Sequence, residues 1–587
     1  MKETIIILGA GVMQGPVINI AKELGYYTIA LDGSSTAPCV TLADKFEQID
    51  LKDKEGIETF ARSIQSLYSR LGIMTAGTDF SASVAWTAEK LGLPGIPYEA
   101  ALNASDKSRM RECFKKASLP SPDFFTISQE EFNHGELQQG SLGVKRFLEA
   151  NLLSFPLVIK PVDNMGSRGC RRVDNIDEFP EAAKTAIGFS RSGRAIVENY
   201  MEGPEFSVDA IVYKGEITIC GIADRHIFFP PYFIEMGHTM PTVIKEEMKC
   251  AILDTFRAGI HSLGIAGKDN VGAAKGDIKL TSNGTAFKPM IGEIAARLSG
   301  GYMSGWTYPY SSGALPIKGA ILAAMGKEPE GLTPIKKWTC AERAFISIPG
   351  TVKEIRNREI INNKENVYIN DVFMRIKEGD KVSFPENNVS KCGNIIASAP
   401  DRETAIKAAE DAARAFLIRL DPSDLETKDF LAKTQSTQRT PSKKERAKEF
   451  PPDAFQLTDE LWEALSQLPK DNLGIFTTNH TNSTNLPFDI KAQVRDGSWL
   501  ISSFPEFVSS GLKDYMGRSV QEVLEAVQIL CASTAPCETL SDPCENAENV
   551  VRLDRSFWEA LIRGGYQGAV YYIDSLGAKI DNKEIHQ

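Results

Sequence analysis

The chain has 587 residues, 42% hydrophobic and 24% charged, a globular composition that excludes a collagen, a lone small module and a wholly disordered tail. Its 66 Lys+Arg against 77 Asp+Glu give a net charge of -11, the wrong sign for a protein that neutralises a phosphate backbone over a wide face, so no nucleic-acid partner is expected. At roughly 150 residues per domain the length predicts about four domains.

Ten cysteines are dispersed without a CxxC pair and read as reduced and structural. Cys531, Cys537 and Cys544 come close together, but the scattered histidines supply no obvious fourth zinc ligand. The apolar run 5–12 follows Glu3, contains two glycines and precedes no small-residue cleavage site, so it does not read as a signal peptide. No stretch approaches the ~18 apolar residues of a membrane span. A cytoplasmic protein without a membrane partner is expected.

Along the first hundred residues, apolar runs at 4–8, 27–31 and 73–76 alternate with amphipathic stretches at 17–24 and 57–71, the pattern of βαβ units and a buried parallel sheet. The loop 9–15, Gly-Ala-Gly-Val-Met-Gln-Gly, joins the first strand to the first helix, and Asp32 ends the next strand. Glycines there free backbone amides at a helix N-terminus, and an acid at the second strand end suits a ribose. Taken alone, these features support an NAD(P)-dependent oxidoreductase.

From residue 105 a series of features follows in order. Ser105-Asp106-Lys107-Ser108-Arg109-Met110 opens a helix, and Ser118-Leu119-Pro120-Ser121-Pro122 follows it. The strand-like 155–161 carries Lys160 just before Pro161, and a Gly-rich hairpin loop spans 163–171. Then come Glu198-Asn199-Tyr200-Met201-Glu202-Gly203-Pro204-Glu205, Asp277 in a strand-like stretch, a turn at 282–284, and Gly292-Glu293-Ile294-Ala295-Ala296-Arg297-Leu298-Ser299-Gly300-Gly301. Lys160 interrupts an apolar strand, where an unpaired charge is costly. Asp277 and Glu293, on the two arms of one hairpin, are hard oxygen donors of the kind Mg²⁺ takes alongside phosphate oxygens.

Together these segments resemble the ATP-grasp superfamily, in its carboxylate-amine ligase branch of amino-acid ligases and carbamoyl-phosphate synthetases. The resemblance implies an α/β and α+β multidomain fold. Its parts are a Rossmann-like, parallel-sheet pre-ATP-grasp domain at 1–100, an ATP-grasp core at 101–340, a small β-rich cap at 341–418, a linker at 419–455 and a C-terminal α/β accessory domain of unassigned role at 456–587. In that last domain, Leu457–Leu465 and Leu553–Leu561 look alike, and each is followed by an apolar strand, at 473–476 and 569–573.

The resemblance also implies an ADP-forming ligase that joins a carboxylate, an amino acid or small organic acid, to an amine through an acyl phosphate. ATP is then a substrate and Mg²⁺, or Mn²⁺, the metal. Lys107 and Lys160 reach phosphates, and Gly166, Ser167, Arg168 and Gly169 form a phosphate flap. Glu198, Tyr200 and Met201 line the adenine, and Glu205 accepts from ribose hydroxyls. Asp277 and Glu293 hold metal, Arg297 faces the transferring phosphoryl group, and Arg225 and His238 approach the substrate. A homodimer is compatible with this reading. One departure stands out, because Ala295 occupies the place of the family's metal-binding asparagine. Alanine ligates nothing, so a catalytically impaired, nucleotide-binding regulatory protein is the alternative.

Overall fold

The computed structural model describes residues 2–134, 137, 140–282, 287–357, 368–432, 450–468, 474–477, 504–533, 550–553 and 555–584. Near the N-terminus, strands Lys45–Gln48, Tyr27–Asp32, Glu3–Leu8 and Arg70–Met74 lie side by side in that order, all parallel. Ile5, Ile6, Ile7 and Leu8 are all buried, as a strand covered by helices on both faces requires. The loop 9–15 is closed by its own residues. Gln14 accepts the Gly11 N–H at 3.0 Å and donates to the Ala76 carbonyl at 2.5 Å, while Asp32 accepts the N–H groups of Ala10 at 2.8 Å and Ser34 at 2.9 Å. With those amides and that acid engaged, the features that pointed to a dinucleotide serve the fold.

A second sheet is antiparallel, in the order Phe124–Ser128, Arg194–Asn199, Leu157–Pro161, Arg171–Val173. Helices Phe179–Phe189 and Ser141–Ala150 cover one face with Phe179, Ala182, Ala183, Ala186, Val144 and Leu148. The third sheet has eight strands, running Phe287–Ala295, Val271–Ser282, Glu205–Tyr213, Glu216–Phe228, Ile234–Met240, Thr339–Phe345, Gly393–Ala399, Ile369–Met374. Every pairing in it is antiparallel. Helix Glu246–Ser262 packs on it through Ile252, Phe256 and Ile260.

This sheet runs across the expected division at residues 340 and 341. Three strands assigned to a separate cap extend the core sheet, because Thr339–Phe345 hydrogen-bonds directly to Ile234–Met240. Helix Arg402–Ala415 packs against their face with Ala405, Ala408, Ala409, Ala412 and Ala413, and Asp401 caps it by accepting the Thr404 N–H. A further sheet is made of Lys381–Val382, Gly350–Arg356 and Leu417–Leu420.

The linker expected at 419–455 is also corrected at its start. Arg419 and Leu420 belong to a strand, and Leu425–Ala432 is a helix that buries Phe430 and Leu431. Two adjacent apolar residues suffice to dock a short helix, a signal too brief to show as periodicity. In the C-terminal module, Gly474–Thr477 pairs antiparallel with Val550–Leu553. The strand expected at 569–573 lies instead within helix Arg555–Glu584, which is broken at Gly565. Phe557, Trp558, Leu561, Ile562, Ala569 and Val570 are buried, and repeats at four-residue steps follow a helical face. The turn residues 283 and 284, most of the linker, and Cys537 and Cys544 lie outside the described residues. Among the described residues no disulfide forms, and no helix is long and apolar enough to cross a membrane.

Candidate active site

The two antiparallel sheets face each other across a cavity of about 430 Å³. Nine cationic side chains and six carboxylates line it, so its wall carries a surplus of three positive charges. The residues come from every part of the core, from Met13 and Gly77 near the parallel sheet to Arg375, Asn388 and Lys391 late in the chain.

Lys160 points inward from strand Leu157–Pro161 and meets Glu198, on the neighbouring strand, at 2.7 Å. The other oxygen of Glu198 accepts from Arg111 Nε, also at 2.7 Å. Arg111 is fully buried and Glu198 is 2% exposed. Burial alone would raise the Glu198 pKa, but Arg111 and Lys160 outweigh it and hold the carboxylate below its ordinary range. Arg111 also donates to the Gly292 carbonyl at 2.6 Å, which ties this pair to the hairpin opposite.

Lys107 is the first residue of helix Lys107–Lys116, whose N-cap Asp106 accepts the N–H groups of Ser108 and Arg109. Its ammonium donates to the Asn164 carbonyl at 2.8 Å and lies 3.3 Å from Glu293. Arg111 follows one turn later on the same buried face, a spacing that could have marked it in the sequence.

Asp277 and Glu293 are direct register partners on strands Val271–Ser282 and Phe287–Ala295. Asp277 is ion-paired to Lys275 and, at 2.9 Å, to Arg225. Burial opposes the Glu293 charge, yet Lys107, Lys275, Lys160 and Arg297 bring its pKa down to about 2. Lys275, Asp277 and Lys279 all line the cavity, as the two-residue period of a strand dictates. Arg225 joins Glu205, Glu235 and Asp277; its side chain is committed to the wall.

The loop 163–171 covers the cavity. Gly166, Ser167 and Gly169 have φ of 68°, 60° and 67°, and a Cβ on Gly169 would come within 2.8 Å of Phe189, so the turn needs glycine there. Arg168 lines the cavity with Gly166 and Ser167, whereas Gly169 shapes the turn. At the opposite end Val158, Ile227, Tyr200, Met201 and Phe233 form an apolar slot. Tyr200 stacks on Phe233 with centroids 6.2 Å apart, and Arg172 and Lys279 lie 4.6 and 5.1 Å from its ring.

Among the described residues Arg297 has no ion-pair partner, and its guanidinium donates to the Leu298 carbonyl at 3.1 Å. Arg297 Nε and Ser207 Oγ are buried without a hydrogen-bond partner among the described residues, and both residues line the cavity. Asp79, from the loop after strand Arg70–Met74, is buried within electrostatic reach of Arg297, Lys107 and Glu293. Burial pushes its carboxyl up against the pull of Arg297 and Lys107.

His238 is not in the cavity wall. Its ring is fully buried, 3.2 Å from Glu342, 3.8 Å from Glu235 and 3.2 Å from the Thr307 hydroxyl. Burial disfavours its charge, but hydrogen bonding to Glu235 and Glu342 wins and raises its pKa. It acts on the cavity only through those two carboxylates. Glu205, placed at the ribose in the sequence reading, lines the cavity with Arg225 and Lys279 as ion-pair partners.

Residues 153–268 match the family described as ATP-grasp domain, and residues 344–421 match L-amino acid ligase C-terminal domain 2. The chain is similar to carnosine synthase 1 of Gallus gallus, 22% identical over 345 residues, 56% of this chain and 36% of that protein. It is similar to alanine--anticapsin ligase of Bacillus subtilis, 24% identical over 265 residues, 43% of this chain and 54% of that one. Among solved structures, L-amino acid ligase from Bacillus licheniformis superposes with a TM-score of 0.58 at 21% identity, covering 72% of this chain and all of that one. The matches to the two curated relatives thus span between about a third and just over half of their lengths.

Proposed function

Since this chain carries an ATP-grasp domain followed by an L-amino acid ligase C-terminal domain, we propose that it is an ADP-forming ligase joining a small carboxylate, such as an amino acid, to an amine. One observation carries the reading. A cavity with three surplus positive charges holds a register pair of carboxylates at one end and an apolar slot at the other. A nucleoside triphosphate with a divalent metal has the complementary form: a flat apolar base, and a chain of phosphates that needs cations and a metal beside it.

In this reading the slot around Tyr200, Met201 and Phe233 takes the base. Lys107, Lys160 and the flap residues Gly166, Ser167 and Arg168 hold the phosphates. Asp277 and Glu293 are the donor set for Mg²⁺ or Mn²⁺, and paired carboxylate oxygens suit a hard cation. Such an ion, when bound, supplies charge neutralisation at the phosphate oxygens. A carboxylate oxygen of the first substrate attacks the γ-phosphorus, the bond to the β-bridging oxygen breaks, and ADP leaves. The amine nitrogen of the second substrate then attacks the acyl carbon, phosphate departs with the carbon–oxygen bond, and the nitrogen loses a proton. Arg297, which has no ion-pair partner among the described residues, offers a bidentate donor to the charge that builds on the phosphoryl oxygens. Lys160, fixed by Glu198, needs no movement to serve. The absence of bridges among the described cysteines accords with a cytoplasmic setting.

The test is an ADP-release screen with single and paired amino acids, run beside nucleotide titrations. ADP release that depends on both an acid and an amine is the expected result. ATP binding with no ADP release across the panel would replace the ligase by the regulatory protein that Ala295 allows, and no ATP binding would remove both.

A further inference from the structure

We propose that the C-terminal module seats the flap 163–171, with Asn388 as the positioning residue; this rests on reading that loop as the cover of the ATP phosphates. The flap is held at two places. At its tip, the Asn388 N–H donates to the Gly166 carbonyl at 3.0 Å and Asn388 Nδ2 donates to Ser167 Oγ at 3.2 Å. The same side chain accepts the Glu235 N–H through Oδ1 at 2.8 Å. One asparagine therefore fastens the flap to the strand that carries Glu235. On the return strand, the Arg172 N–H donates to the Pro231 carbonyl at 2.7 Å, and the Arg171 guanidinium lies 6.0 Å from the Tyr232 ring.

Both holding loops rest on one aromatic cluster. Phe384, four residues before Asn388, is 3% exposed. Its ring centroid is 5.1 Å from Phe229, 4.7 Å from Tyr515 and 5.4 Å from Phe450. Tyr232 meets Phe450 at 4.5 Å, and Phe229 meets Tyr515 at 5.9 Å. Phe450 and Tyr515 belong to the C-terminal part of the chain. That part is anchored in turn, by Arg419 to Asp574 at 2.6 Å and by Arg414 donating to the Met516 carbonyl at 2.9 Å. Without those two rings the loops at 229–232 and 384–388 lose their backing, and the flap loses both of its seats at once. Coupling of this kind travels through packed side chains and hydrogen bonds.

The test compares the full chain with Asn388→Ala, Tyr515→Ala and Tyr515→Phe by amide hydrogen exchange over residues 164–170 and by MgATP titration, with Lys160→Ala as the control for the ATP reading. Loss of two hydrogen bonds in Asn388→Ala is expected to speed flap exchange and raise the MgATP Kd about tenfold, with kcat changed by less than about threefold. Tyr515→Ala is expected to act in the same direction, while Tyr515→Phe, which keeps the ring, restores the flap. Phe450→Ala, at the rim of the cluster, carries the test if Tyr515→Ala does not fold. Flap exchange and Kd unchanged in Asn388→Ala, or unchanged in folded Tyr515→Ala or Phe450→Ala, overturn the proposal while Lys160→Ala still weakens ATP. Failure of the unaltered chain to bind MgATP overturns the ATP reading and this inference with it.

Discussion

Asp277 and Glu293 stand opposite each other in one antiparallel hairpin, and each is held by its own lysine, Lys275 for Asp277 and Lys107 for Glu293. The lysines come from different elements, one from the hairpin itself and one from helix Lys107–Lys116. With the Glu293 pKa at about 2, its charge is intact from pH 8 down to pH 4.

Glu293→Gln and Asp277→Asn are each expected to lower ADP formation by at least about 100-fold, the scale of losing a fixed electrostatic partner of the transferring group. Far-ultraviolet circular dichroism should be unchanged, and the half-saturating Mg²⁺ concentration should rise. Normal turnover in either variant would refute the metal assignment.

The Arg111–Glu198–Lys160 triad is a structural commitment in its own right, beside the phosphate role proposed for Lys160. Arg111→Met leaves Glu198 with a single cation, and Glu198→Met leaves Arg111 buried without a counter-charge. Breaking such a pair costs about 3–5 kcal/mol. The double variant Arg111→Met with Glu198→Met should recover part of the loss, measured by urea unfolding as a double-mutant cycle. Strict additivity would show that the two residues are not coupled.

Asp209 is fully buried and accepts from the backbone N–H and hydroxyl of Ser299, at the floor of the cavity. Burial raises its pKa from 3.8 to about 6, although Ser299 and Lys275 oppose the rise. Its folded state therefore holds a proton more tightly than the unfolded chain. The contribution to stability is full below about pH 3.8 and is lost as pH rises through about 6, a change on the order of 3 kcal/mol. Asp209→Asn should flatten that part of the profile of thermal midpoint against pH; an unchanged slope would exclude Asp209 as its source.

The glycine loop 9–15 is filled by Gln14 and Asp32, so titration with NAD(H) or NADP(H) up to millimolar concentration should give no fluorescence or calorimetric signal. Saturable binding would reopen the oxidoreductase reading.

The chemistry-bearing segments were legible because local constraints leave local marks. Lys160 interrupts an apolar strand, the flap needs residues tolerant of positive φ, and acids two arms apart on a hairpin announce a pair. Arg111 was also within reach, at four residues from Lys107 on one helical face. Arg375, Asn388 and Lys391 left no such mark, since each lies in or beside a loop whose approach to the cavity depends on strands far away in sequence. The same holds for His238, whose residue type fits a catalytic role but whose burial makes it a support for Glu235 and Glu342. The cap at 341–418 was read from a run of short strands ending in a helix and from the family resemblance, and neither reports that Thr339–Phe345 hydrogen-bonds to Ile234–Met240.

Thus the order of strand, helix and turn, the lysines and the carboxylate pair follow from the chain of residues alone, because periodicity, charge placement and turn chemistry are short-range properties. Which of those charges are spent on one another, which stay free for a ligand, and that Tyr515 packs on Phe384 beside the loop holding the flap, were decided by tertiary packing. Burial and pairing are properties of neighbours in space, and only folding selects them.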